Sequence, residues 1–205
     1  MAGFDNDVVF GDSIKFVEAT VDKWHIGNFA ADDSFKISQG GTLGTNDTFI
    51  MTAAGERTMP LQPAVLVTNT AAGQLNATGD GTQLSVIFGT EIYDQNSDFD
   101  GISTFTAPVT GRYLVTAHIS FEGLAAAHTF TFSSINTSNR VYLIDPINIG
   151  AIRTVNPNDR GFTSVNQVVD LDASDALVIN IGISNGAKTV GIIAGGTSTD
   201  PRTRL

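Results

Sequence analysis

Residues 113–122, Tyr-Leu-Val-Thr-Ala-His-Ile-Ser-Phe-Glu, alternate without interruption. On an extended chain Tyr113, Val115, Ala117, Ile119 and Phe121 share one face, and Leu114, Thr116, His118, Ser120 and Glu122 share the other. Sustained period two with an apolar face is the mark of a half-buried β-strand. Just before it, Phe105, Pro108 and Gly111 punctuate the chain, so that one strand ends, the chain turns and a longer strand begins.

Composition agrees with a β protein. The 205 residues include 21 glycines and abundant Thr, Ser, Asn and Val, whereas long helices would need more Leu, Glu, Lys and Arg. A chain of this length forms one large β domain or two smaller ones, with a sizeable core. Eleven basic against 21 acidic residues give a net charge of −10, which opposes nucleic acid or an anionic membrane as a partner. With no cysteine, disulfides, thiolate metal sites and a cysteine nucleophile are excluded. The start, Met1-Ala-Gly-Phe-Asp, is too polar for a signal peptide, and no apolar run approaches the ~20 residues that span a bilayer. The expectation is a protein made in a cytoplasm without a visible export signal.

Taken in order, residues 1–60 hold short strand candidates at 7–10, 13–18, 23–26, 34–38 and 48–52, separated by glycines. Two units, from Phe35 to Gly41 and from Phe49 to Gly55, look alike, but two copies do not make a solenoid. Large apolar residues are sparse here, so this region is expected to complete its core against another chain or a larger surface. Met59-Pro-Leu-Gln-Pro63 stiffens the chain and reads as the boundary. Residues 61–205 then carry strand candidates at 64–68, 83–93, 113–122, 129–134, 141–144, 162–171, 176–184 and 190–194. Residues 145–161 read as a long loop, and 197–205 trail off polar. This spacing predicts an all-β, antiparallel sandwich of the jelly-roll kind.

The run Phe105-x-x-Pro108-x-x-Gly111-x-Tyr113 resembles the signature of the complement globular-head (C-one-q) and tumour-necrosis-factor superfamily. Val86-Ile-Phe88 precedes it as that family's early strand does, and Leu171 and Asp175 sit where the family shows a leucine and a Gly-Asp turn, with Ser174 in place of the glycine. The likeness spans about residues 60–195. The family closes on an aromatic-x-Gly strand that this chain lacks, so the last strand is expected to be missing or supplied by a partner. What the resemblance implies is a trimeric jelly-roll knob with an apolar threefold seam. Phe105, Pro108, Gly111, Tyr113, Val115, Phe130, Phe132, Ile179 and Ile181 are its candidate core and seam residues. The loop wording around the signature is similar to knobs on bacteriophage virion proteins, and the N-terminal units to the β repeats that precede such knobs in fibres.

Candidate sites are few. His25, His118 and His128 are scattered and no local motif pairs one with a nucleophile and a carboxylate, so no catalytic residue and no cofactor is expected. Asp94, Asn96, Asp98 and Asp100 place oxygens on alternate residues as calcium loops do, but the twelfth position lacks the bidentate glutamate; the loop reads as a solvated acidic turn, with calcium the alternative. The resulting expectation is a non-enzymatic virion structural protein, a homotrimeric capsid decoration or cement protein that meets the major capsid protein or another virion protein through residues 1–60. The alternatives are the receptor-binding knob of a short tail or head fibre, contacting host glycan or protein through loops 73–82, 94–101 and 145–161, and a bacterial surface lectin-like module.

Overall fold

The computed structural model describes residues 13–70, 72–144, 146–153, 159–194, 196–197 and 200–205; the strand expected at 7–10 and part of the loop at 145–161 lie outside them. The chain divides into two compact units, Met1–Gln62 and Pro63–Leu205.

The first unit is an antiparallel meander of β1 (Ser13–Glu18), β2 (Val21–Phe29), β3 (Ser34–Gln39), β4 (Asp47–Met51) and β5 (Arg57–Thr58), each strand paired with the next. Its buried positions are polar. Ser34, Lys36 and Ser38 alternate inward along β3, beside His25. The Lys36 ammonium lies 3.0 Å from Asp32, 3.6 Å from Asp47 and 4.0 Å above the Phe29 ring, so opposite charges and a ring face offset its burial. The large apolar side chains point the other way: Ile14, Phe16, Val17 and Trp24 are exposed, and Phe16 stands opposite Trp24 across the β1–β2 pair. The two look-alike units of the sequence are neighbours, β3 and β4, with Phe35 and Phe49 in edge contact at 6.5 Å.

The second unit contains β6 (Val65–Thr68), β7 (Gln74–Thr78), β8 (Gln83–Ser85), β9 (Thr90–Asp94), β10 (Phe105–Thr106), β11 (Gly111–Glu122), β12 (Phe130–Thr137), β13 (Val141–Ile144), a short helix α1 (Ile149–Ile152), β14 (Gly161–Leu171), β15 (Ala176–Ser184), β16 (Val190–Ile192), β17 (Gly196–Thr197) and β18 (Asp200–Pro201). One sheet runs β14-β11-β16-β7 and the other β10-β15-β12-β13, with β8 also on β15. The chain passes from sheet to sheet and pairs strands distant in sequence, all antiparallel, which is a jelly roll.

β11 behaves as its pattern predicts. Val115, Ala117, Ile119 and Phe121 are buried, while Leu114, Thr116 and their neighbours on that face look outward. From the facing sheet Ile135, Leu177, Ile179, Ile181 and Ile183 complete the core. Pairing of β11 with β14 is unbroken from Gly111–Leu171 to Phe121–Gly161.

Three expectations need correction. First, residues 83–93 are not one strand. β8 pairs with β15 and β9 with β6, while Val86 and Phe88 stay in the core through main-chain bonds from Val86 N to Ile179 O and from Phe88 N to Ile102 O. Second, the closing strand is not missing. Residues 203–205 lie between β6 and β11: His118 and Arg204 exchange both main-chain hydrogen bonds at 2.9 Å, and Val67 and Leu205 exchange both at 3.0 Å. Arg202 and Arg204 stay outside while Thr203 is fully buried and Leu205 packs on the core, so alternation lets so polar a segment close a sheet. Third, Phe130 and Phe132 do not fill the core. Thr131, Ser133 and Ile135 take the inward positions of β12, leaving Phe130 exposed and Phe132 half-buried.

Candidate functional site

The signature residues build a corner rather than a catalytic site. Phe105 and Tyr113 meet edge to face at 5.6 Å, and the Tyr113 hydroxyl donates to Val109 O at 2.6 Å, clamping the turn that holds Pro108. Across the corner Ala107 N donates to Asp175 O and Ser174 N to Ala107 O, tying β10 to the turn before β15. Ser174 sits at φ 74°, the left-handed region that favours glycine. Phe105, Tyr113 and Val115 also line, with Val65, Tyr93 and Leu205, an apolar groove of about 270 Å³. Ile179 and Ile181 are fully buried on β15. Gly111 begins β11 without a left-handed backbone, and a methyl there would meet only the Tyr113 ring at 3.8 Å.

The three histidines have different surroundings. His25 is buried in the first unit, and its ring nitrogens have no hydrogen-bond partner among the described residues. His128 is structural: its Nδ1 accepts from Ala125 N at 2.7 Å, which leaves Nε2 to donate to Ala187 O at 3.0 Å. Gly79 packs behind it, at φ 126° and so close that a Cβ would lie 2.1 Å from Ala187 O. His118 lies on the outer face of β11, with Nδ1 3.0 Å from Ser164 Oγ and Nε2 3.4 Å from Ser120 Oγ. Desolvation, then the charge of Arg204, lowers its pKa, which keeps the ring neutral at pH 7. Both ring nitrogens meet serine hydroxyls, and among the described residues these, not a carboxylate, are the hydrogen-bond partners of the imidazole, whereas a hydrolytic triad uses a carboxylate there.

In the acidic loop the carboxylates serve the backbone. Asp94 accepts from Asp98 N and Phe99 N at 3.0 and 2.9 Å, and one oxygen of Asp100 accepts from Ile102, Ser103 and Thr104 at 2.8 to 3.0 Å. Burial opposes ionisation of Asp100, but those amides outweigh it and its pKa is lowered. Asp98 goes the other way, raised by desolvation and then by Asp94. Asn96 lies half-buried in the same turn. Among the described residues no group of three or more His, Asp or Glu has the geometry to hold a metal ion.

What sequence reading missed is the surface. At the rim where β13 and β14 meet, Asp170 accepts from Arg140 and Tyr142, joining the two sheets. Apolar side chains flank this rim on both outer faces. On one, Leu114 and Val168 are cross-strand partners, 73% and 53% exposed. On the other, Val141 and Leu143 of β13 are 54% and 66% exposed, on the same outer face as Phe130 and Phe132 of β12. Alternation hides this, because each strand is apolar on one face by design and only the register says which extra apolar residues face outward.

No protein-family model matches this sequence, and no curated protein matches it. Among solved structures, the chain is similar to the globular domain of zebrafish complement 1qA protein, at 18% identity and a TM-score of 0.44, over 64% of this chain and 96% of that one. It is also similar to murine APRIL, at 12% identity and a TM-score of 0.38, over 63% and 98% of the two chains. A third is the Eiger TNF of S. frugiperda, at 12% identity and a TM-score of 0.37, over 65% and 93%.

Proposed function

We propose that this chain is a non-enzymatic structural protein that closes into a homotrimer and decorates a bacteriophage capsid. The observation that carries the assembly reading is the rim between β13 and β14, with apolar pairs on both of its outer faces, Leu114–Val168 and Val141–Leu143. A two-fold dimer needs one self-complementary patch, whereas a closed ring of three needs two different ones on each copy, and two patches flanking one edge suit the ring. The first unit supports the attachment role. Its polar buried face and outward Phe16 and Trp24 suit a sheet that completes its core on a major capsid protein or another virion protein.

Static light scattering tests the assembly: a mass three times the 21.6 kDa of the chain is expected, and Leu143→Asp or Val168→Asp should lower it. A parent protein that stays monomeric at micromolar concentration refutes the trimer. Imaging of the intact particle tests the location, with density at capsid threefold or quasi-threefold positions expected. Density on the tail would instead favour the second reading, a receptor-binding fibre knob, which the hollow lined by His118, Phe162 and Arg202 supports.

A further inference from the structure

The face opposite the core at the Ser120 end of β11 differs from the rest of the surface. Three of the chain's 11 lysines and arginines converge there, although the chain carries −10 overall. Register explains the convergence. The closing segment sets Arg204 directly beside His118 and leaves Arg202 on the same side, and β14, entered just after Arg160, sets Phe162 opposite Ser120. Two adjoining hollows share His118. One, of about 240 Å³, is lined by Ser120, Phe162, Arg160 and Arg202; the other, of about 190 Å³, by Ser164, Asn166 and Arg204. Phe162 is 59% exposed and stacks on the His118 ring at 5.1 Å with 29° between planes, so His118 backs one side of the ring and the exposed remainder is an apolar platform beside hydroxyls and an amide.

We infer that this platform binds a saccharide bearing an anionic group, through the stacked Phe162–His118 pair and through Arg202 and Arg204 at its margin, Arg160 already facing the Glu122 carboxylate at 3.7 Å. A planar guanidinium matches the two oxygens of a carboxylate or sulfate, and arginine makes such bonds more specifically than lysine. A pyranose lays its C–H face on an aromatic ring and offers hydroxyls around its edge, where Ser120, Ser164 and Asn166 stand. An acidic peptide would use the arginines but has no need of the platform or the ring of hydroxyls. A long polyanion is repelled by the −10 of the chain, so one or two anionic groups are the recognised unit. The unbroken β11–β14 register holds the platform in advance of binding, which lowers the ordering cost. The apolar Leu114–Val168 pair lies on the same outward face of the β11–β14 pair, four residues along β11 from His118, about 13 Å away.

Titration of the full chain by calorimetry and by NMR of the His118 and Phe162 rings tests this. The probes are a glucuronate-terminated disaccharide, glucose 6-sulfate, the uncharged disaccharide, acetate and a triglutamate peptide. Saturable binding of the glucuronate or the sulfate, with both rings perturbed, is expected, and the tighter of the two identifies the anion. The double variant Arg202→Gln, Arg204→Gln, whose side chains are exposed, should weaken binding about tenfold or more at unchanged melting temperature. Charged sugars binding no tighter than the uncharged disaccharide, or no tighter than acetate or triglutamate, overturn the inference. Light scattering on the same samples separates that failure from failure of the trimer.

Discussion

Replacing Thr203 by valine asks whether residues 203–205 close the sheet as described. Thr203 is fully buried, and its hydroxyl bridges two main-chain groups, donating to Ile193 O at 3.2 Å and accepting from Ser120 N at 3.2 Å. Valine keeps the shape and removes both bonds. Each buried main-chain group left without its partner costs about 1–3 kcal/mol, and the extra buried methyl returns about 0.8 kcal/mol. The expected net loss is therefore about 1–5 kcal/mol, because the two penalties exceed the single apolar gain. For a unit of this size each kcal/mol shifts the midpoint by about 2–4 °C, so the fall is roughly 2–20 °C. The carbonyl of Thr203 still accepts from Thr68 Oγ1 and Asn69 N, so the segment should remain seated and the fold intact. Thermal unfolding followed by circular dichroism gives the midpoint, and hydrogen exchange gives the local effect. The Ser120 amide should lose protection while that of Phe121 keeps it. A variant within ~0.5 kcal/mol of the parent, the range of an unremarkable surface substitution, with Ser120 exchange unchanged, would falsify this placement of the closing segment.

Two further outcomes follow from backbone strain and charge. Ser174→Gly should raise stability by about 0.5–1 kcal/mol, since Ser174 holds φ 74° and glycine relieves that strain at some entropic cost; urea unfolding checks it, and any loss of stability counts against the corner geometry. Asp98→Asn concerns a carboxyl raised by desolvation and by Asp94, so the parent loses stability as pH rises from the ordinary 3.8 through the higher folded value. The variant should therefore melt above the parent at pH 7, and the gap should close below about pH 4, where Asp98 is protonated in both states; a gap independent of pH contradicts this.

How far the sequence could be read depended on whether each feature was local. β11 was legible because five inward residues and their outward neighbours follow one another along the chain, and β15 because Leu177, Ile179, Ile181 and Ile183 do the same. The break between β8 and β9 was not, because Val86 and Phe88 keep the inward rhythm while the ladder beside them changes partners. Period two reports burial, not pairing, and so it ran straight through the change of sheet. Ser174 was visible as a departure from glycine, but its strain appears only in the backbone.

The end of the chain and the platform failed to show for a related reason. The sequence Arg202-Thr-Arg-Leu205 does alternate, yet four residues are too short a run to separate a strand from a polar tail by pattern. What decides it is a slot between β6 and β11, built from residues 65–68 and 111–122, each paired on its other side with β9 or β14. That slot then carries the arginines to His118. The platform draws on residues 118–120, 160–166 and 202–204, three segments that share no motif and meet only through strand register. Reading a site of this kind from sequence would require the register first, since a shift of one residue in either pairing would turn the arginines or Phe162 inward and leave no platform. The same dependence ties stability to recognition here: the buried Thr203 fixes the register of the closing segment, and that register fixes which side chains reach the surface beside His118.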